Sequence, residues 1–194
     1  MATLVRLLEM DSGSIVIDDV DIATVPRETI RERLVSLPQD PLVLNGSVRL
    51  NVDPEERSTE EAVATALDRV GLGDLAQSRG IMADITATSL SRGQQQLLAL
   101  ARAVVKKQAC GSTILLLDEA TSNVDAETDA VLQRVLREDF SGCTRVAVAH
   151  RIHTIMDSDV IVVMDSGRIV EVGSPAELLR NEEGWFSQLA KSKE

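Results

Sequence analysis

The run Ile114-Leu115-Leu116-Leu117-Asp118-Glu119 decides how the remainder of the chain is read. With Thr113 before it, the unbroken apolar stretch predicts a strand buried on both faces, as in a parallel sheet. Two carboxylates follow at its carboxyl end, the edge outside which open α/β sheets bind their ligands. Consecutive side chains point in different directions there, so the two acids can divide labour. One can orient Mg²⁺ through its water shell while the other polarises an attacking water. The bland alternative is a strand that ends in a solvated acidic turn, and the neighbouring sequence must choose between them.

Outward from this strand, apolar periodicity alternates between helix and strand. Ser91 to Lys107 predicts a long helix with Leu97, Leu98, Ala101, Val104 and Val105 on its inner side. Asp125 to Glu138 predicts another, with Val131, Leu132, Val135 and Leu136 facing in. Arg145–Ala149 and Val160–Met164 read as further buried strands. Asp165-Ser166-Gly167-Arg168 makes a tight turn into Ile169–Val172, and Pro175 begins a final helix holding Trp185. Toward the amino end, Ser58 is placed to cap a helix, with Glu61 completing a capping box and Ala62, Val63, Ala66, Leu67 and Val70 forming its apolar face. Gly71 and Gly73 close that helix, and a polar stretch runs from Gln77 to Thr88. Residues 39 to 57 read as loop. Leu34–Leu37 is a strand stopped by Pro38, Val25–Arg33 a short helix with Pro26 in its first turn, and Ser14–Val20 a strand. Leu4, Val5, Leu7 and Leu8 fall at helical spacing until Asp11-Ser12-Gly13 ends the run. Such alternation predicts an α/β domain with a mostly parallel sheet.

The 194 residues suffice for one domain, and their 44% apolar content supports a real core. Aromatic residues are only 2%, so that core must be aliphatic. A net charge of −11 argues against a nucleic-acid partner, because such proteins gather Lys and Arg against phosphate. Cys110 and Cys143 show neither metal-ligand spacing nor a disulfide framework and read as thiols of a reducing compartment. No stretch approaches 18 apolar residues, and the start lacks the features of a secretory signal. The polypeptide by itself is expected to be soluble and cytoplasmic.

Asp118-Glu119-Ala120-Thr121-Ser122-Asn123-Val124-Asp125 resembles the Walker B and D-loop of the ATP-binding cassette (ABC) family. Leu90-Ser91-Arg92-Gly93-Gln94-Gln95-Gln96 resembles its signature motif, usually LSGGQ. Ala149-His150-Arg151 is similar to its switch-histidine loop, and Gln39 in Leu37-Pro38-Gln39-Asp40-Pro41 falls at its Q-loop. The four motifs stand in family order. The resemblance implies a P-loop NTPase-type, mostly parallel sheet with an inserted α-helical signature subdomain near residues 55–110, within a partial nucleotide-binding domain covering 1–190. It implies Glu119 as general base, Asp118 and Gln39 near Mg²⁺, and His150 as the sensor of the γ-phosphate of ATP. Ser91, Gly93 and Gln94 would face that phosphate, held by the opposite domain of a head-to-tail dimer, and Asp125 would contact the facing domain. Gln39 would also link the metal to transmembrane domains, placing the site on the cytoplasmic face of a membrane. A Ser at a helix start favours an anion there but is more often a plain N-cap. Gly93 lets backbone approach a phosphate closely. Arg92 departs from the usual glycine, and the sequence leaves its direction open. His153, outside the motif, reads as structural.

Asn51-Val52-Asp53-Pro54 resembles the NLDP element of the C subfamily of multidrug-resistance-type exporters, typical of their second nucleotide-binding domain; an ordinary turn is the alternative. The phosphate-cradling pattern G-x-x-x-x-G-K-S/T does not occur in the 194 residues. Nor is there a Tyr to stack on adenine, and the family's N-terminal β-subdomain has no counterpart. The expectation is a chain truncated before or at that loop, with Met1 an internal methionine of a longer gene. The strands at 145–149 and 160–164 would then present unpaired buried edges. The functional expectation is part of an ATPase that drives an exporter. The alternative is a non-catalytic cassette lending only its signature motif to a partner's ATP, and a third possibility is a product that does not fold stably.

Overall fold

Leu34–Leu37 runs parallel to Ile114–Leu117, residue against residue, and this pair is the spine of the first of two units, Met1–Val146 and Ala147–Glu194. The computed structural model describes residues 1–119, 124–149 and 152–192.

The first unit opens with turns rather than the expected helix: Leu4 N–H donates to Met1 O and Leu7 N–H to Ala2 O, and Arg6 has φ +50°. Its guanidinium donates to the carbonyls of Ile22 and Val25, so tertiary bonds replace the local ladder. The predicted strand at 14–20 is instead a hairpin of β1 (Val16–Ile17) and β2 (Val20–Asp21). Asp18 and Asp19 both take positive φ, the backbone of a tight hairpin turn. Then come α1 (Arg27–Arg33), β3 (Leu34–Leu37), β4 (Gly46–Ser47) and α2 (Val48–Val52). The last two replace part of the expected 39–57 loop, because the Ser47 hydroxyl accepts from Leu50 N–H and starts a helix. In α3 (Glu60–Arg69) the cap is Thr59, not Ser58; Ser58 N–H is taken by the Asp53 carboxylate. The stretch read as polar coil holds the end of α4 (Gly73–Arg79) and β5 (Asp84–Ile85), which pairs antiparallel with β4. Next come α5 (Arg92–Cys110), β6 (Ile114–Asp118), α6 (Ala126–Asp139) and β7 (Thr144–Val148), and the central sheet has the order β3-β6-β7.

Helix α5 is buried nearly all round, from Gln96 to Ala101 and from Ala103 to Val105, as expected of a helix at the centre of a core. Val63 and Leu67 of α3, Val52 of α2, Leu37 of β3, Leu115 of β6 and Leu132 of α6 belong to the same cluster. A smaller cluster of Ile22, Ile30, Leu34 and Leu116 covers the other face of β3 and β6. Covering on both faces explains why β6 reads as a continuous aliphatic run.

The second unit contains β8 (Ile161–Asp165), β9 (Arg168–Gly173), α7 (Pro175–Arg180) and α8 (Trp185–Ser192). The β8–β9 pair is antiparallel, turning through Ser166 and Gly167 at positive φ. Here two expectations change. Every residue of β7 is exposed, and β8 alternates, with Ile161 and Val163 buried but Val162 and Met164 exposed. In the second unit the hairpin is covered on one face only, by Leu178 and Phe186. The single final helix is also two. Gly184 lies so close to Glu171 that a Cβ would approach its carboxylate to 2.5 Å, and that carboxylate accepts from Phe186 N–H as α8 begins. Among the described residues no helix is long and apolar enough to cross a membrane.

Candidate functional site

Since Leu37 pairs with Leu117, the residues beyond them leave the same rim of the sheet: Pro38-Gln39-Asp40 from β3 and Asp118-Glu119 from β6. Asp118 closes the strand and Glu119 follows at φ +47°. A left-handed glutamate costs about 1–3 kcal/mol and is the kind of strain that gathers at functional sites. It turns the chain off the strand directly after Asp118. Both residues are half-buried, and Gln39 is exposed.

The start of α5 reaches this rim. The Ser91 hydroxyl accepts from Gln94 N–H at 3.2 Å while Gln94 Oε1 accepts from Ser91 N–H at 2.9 Å. This capping box engages two site candidates with each other and shows Ser91 in its ordinary capping role. The amides of Arg92 and Gly93 have no intrahelical partner, as at every helix start, and carry the positive end of the helix dipole. Arg92, whose direction the sequence left open, reaches Asp40 Oδ1 at 3.1 Å. One turn on, Gln96 Nε2 donates to the Pro38 carbonyl.

Gly93 faces the other way. A Cβ there would stand 2.7 Å from Thr128 Oγ1 and 3.2 Å from Asp125 Oδ2. Asp125 caps α6, accepting from Thr128 N–H and Thr128 Oγ1–H, both at 2.9 Å. That backbone amide first, and the hydroxyl second, hold its carboxyl below the usual carboxylate range. Asp125 and Gly93 are therefore neighbours in one chain, and the small residue is demanded by the α6 cap whatever else approaches it. His150, together with 120–123, lies outside the described residues, and so does the sequence reading of it as the γ-phosphate sensor.

The sequence treated Asn51–Pro54 as a family marker; the structure gives it a job. Asn51 is fully buried, accepting from Leu44 N–H and donating to the carbonyls of Leu44 and Ser47. Asp53, also buried, accepts from the amides of Arg57 and Ser58. Arg102 of α5 then donates to the carbonyls of Asn51 and Leu42, and burial pushes its guanidinium pKa down. These bonds fix the segment after Gln39 onto α5. Arg102 was missed because a single Arg in a helical run carries no local signal.

Mg²⁺ is held by one or two carboxylates together with phosphate oxygens and waters. Among the described residues there is no group of three or more His, Cys, Asp and Glu placed to hold a metal unaided. Asp118 at the end of β6, with the Gln39 segment leaving the adjacent strand, fits the protein's share of such an oxygen set.

A nucleotide-binding α/β domain of the cassette type is the class this fold and rim define, and residues 1–122 match the ABC transporter family model. The chain belongs to that family. It is 48% identical to ABC multidrug transporter B of Aspergillus fumigatus, over 98% of this chain and 13% of that protein. It is 47% identical to ATP-binding cassette sub-family C member 2 of Rattus norvegicus, over 97% of this chain and 12% of that protein. Among solved structures, a bacterial Atm1-family ABC exporter with ATP bound superposes with a TM-score of 0.88 at 32% identity, covering 98% of this chain and 34% of that one. The chain thus spans about an eighth of the length of these curated relatives.

Proposed function

We propose that this chain is part of a nucleotide-binding domain, the second of its type in a subfamily-C exporter, that couples ATP binding and hydrolysis to transport through transmembrane domains. The observation that carries the reading is the meeting of three motifs at one rim. The Gln39 segment and Asp118-Glu119 leave paired strands, and the Ser91 helix start is joined to the first through Arg92 and Asp40. The match of the Asn51–Pro54 element to the C subfamily agrees with the relatives' names. Residues 1–190 would form the domain part, with the helices between about 55 and 110 as its signature subdomain.

In this reading Glu119, at the strained turn that ends β6, accepts the proton of the attacking water. Asp118 and Gln39 orient the metal's water shell, and His150 holds the γ-phosphate end of the site. Ser91, Gly93 and Gln94 present hydroxyl, amide and side-chain amide groups to the nucleotide of a facing domain, and Asp125 lies beside them. Mg²⁺ would supply neutralisation of phosphate charge. The chain has no G-x-x-x-x-G-K-S/T sequence, whose amides and Lys provide most of the positioning in phosphoryl transfer. That favours a second reading for the 194-residue polypeptide by itself: it lends its signature face to ATP held by a complete cassette.

Mg-ATP titration of the chain, alone and mixed with a complete cassette domain, tests both. No saturable binding is expected alone, and ATP-dependent association is expected with the complete domain, weakened at least tenfold by Ser91→Arg. Micromolar binding by the chain alone overturns the shared-site reading. Absence of any ATP-dependent association sinks the functional assignment of the Ser91 face.

A further inference from the structure

Arg92 and Gln96 leave α5 one turn apart, on a single face, and both reach the segment that carries Gln39. The Arg92 guanidinium meets Asp40 at 3.1 Å, and the Gln96 side chain donates to the Pro38 carbonyl at 3.3 Å. Gln39, itself exposed, is therefore flanked on both sides by residues fastened to the same helix. We propose that Arg92 is a positioning residue: through Asp40 it straps the Gln39 segment to the first turn of α5, so that displacement of this helix end carries Gln39 with it. The strap draws its purpose from the proposed function: it ties Gln39, which serves this chain's own metal site, to the Ser91 helix start, which faces the nucleotide of the opposite domain.

The two ties are unequal. Gln96 is buried and binds a backbone carbonyl, which makes it a fixed part of the packing. The side chains of Arg92 and Asp40 are 64% and 76% exposed, and ion pairs so exposed are weak and screened by salt. The Arg92 tie is thus the one that opens while the core stays intact. A glycine at this position, as in the family's usual motif, has no side chain with which to make it. The competing view is that Arg92 is a solvated charge and Asp40 an incidental neighbour.

Hydrogen exchange of residues 39–45 in the full 194-residue chain, without nucleotide, separates these views. Arg92→Gly and Asp40→Asn should each speed exchange by about two- to fivefold, the range an exposed ion pair supports. The double variant should be no faster than either single one. Arg92→Lys should stay near the parent, and the charge swap of Arg92→Asp with Asp40→Arg should recover most of the lost protection. Raising salt toward about 1 M should accelerate the parent and leave Arg92→Gly unchanged. Protection within α5 should hold throughout, since both side chains lie outside the core. Parent-like exchange in Arg92→Gly, additive effects of the two single changes, or no response to salt overturns the strap. Because nothing here depends on ATP, failure of the functional assignment would show in the titration above and not in this experiment.

Discussion

Gly93 is held small by a neighbour's side chain rather than by an unusual backbone. Its missing Cβ would press on Thr128 Oγ1, which is bonded to the Asp125 carboxylate. Gly93→Ala must therefore push Thr128 aside and disturb the α6 cap. Overpacking of this kind costs about 1–3 kcal/mol, partly offset by the better helix propensity of Ala. A net loss of about 1–2 kcal/mol is expected in urea unfolding, shrinking by half or more when Thr128→Ala removes the obstructing oxygen. Equal losses in both backgrounds would refute the contact. The helix-start positions of Ser91 and Asp125 were legible because a capping residue is a local signature. The partnership between Gly93 and Thr128 was not, since 35 positions separate them along the sequence.

At the scale of elements, α5 acts as the hub. It carries the capping box, both ties to the Gln39 segment and Arg102, while its apolar residues enter the main core. The Asn51 side chain closes the Leu44–Ser47 turn onto α2, and Arg102 fixes both to α5. Asn51→Ala leaves the Leu44 amide and two part-buried carbonyls without that partner, at an expected cost of about 1–3 kcal/mol in urea unfolding. A loss below about 0.5 kcal/mol would mean that other groups or water satisfy them. The strands β3 and β6 and the helices α3, α5 and α6 were legible because their apolar periodicity is sustained. The two-residue strands were not, because pairs as short as β4 with β5 exist only by virtue of their partner. Thr59 took the cap from Ser58 for a related reason: Asp53, five residues earlier, had already claimed the Ser58 amide.

On the scale of the whole molecule, the two units have cores of different size. The second rests on Ile161, Val163, Leu178 and Phe186, and among the described residues Phe186 is its one large fully buried side chain. Phe186→Ala removes about 3–5 kcal/mol, enough to abolish amide protection across β8 and β9 while α5 and β6 keep theirs. Simultaneous loss in both units would show a single cooperative core instead.

The sequence by itself determined the α/β class, the aliphatic core and the order of four family motifs, because strand runs, helix periods and capping residues are local properties. It also determined that no phosphate-loop pattern stands within these 194 residues. Only the tertiary structure decided that Arg92 turns to Asp40, that Asn51 is a buried clasp, that β7 is exposed and that the last helix breaks at Gly184. Each of these depends on which distant group arrives within hydrogen-bonding or van der Waals reach, and no spacing along the chain records that.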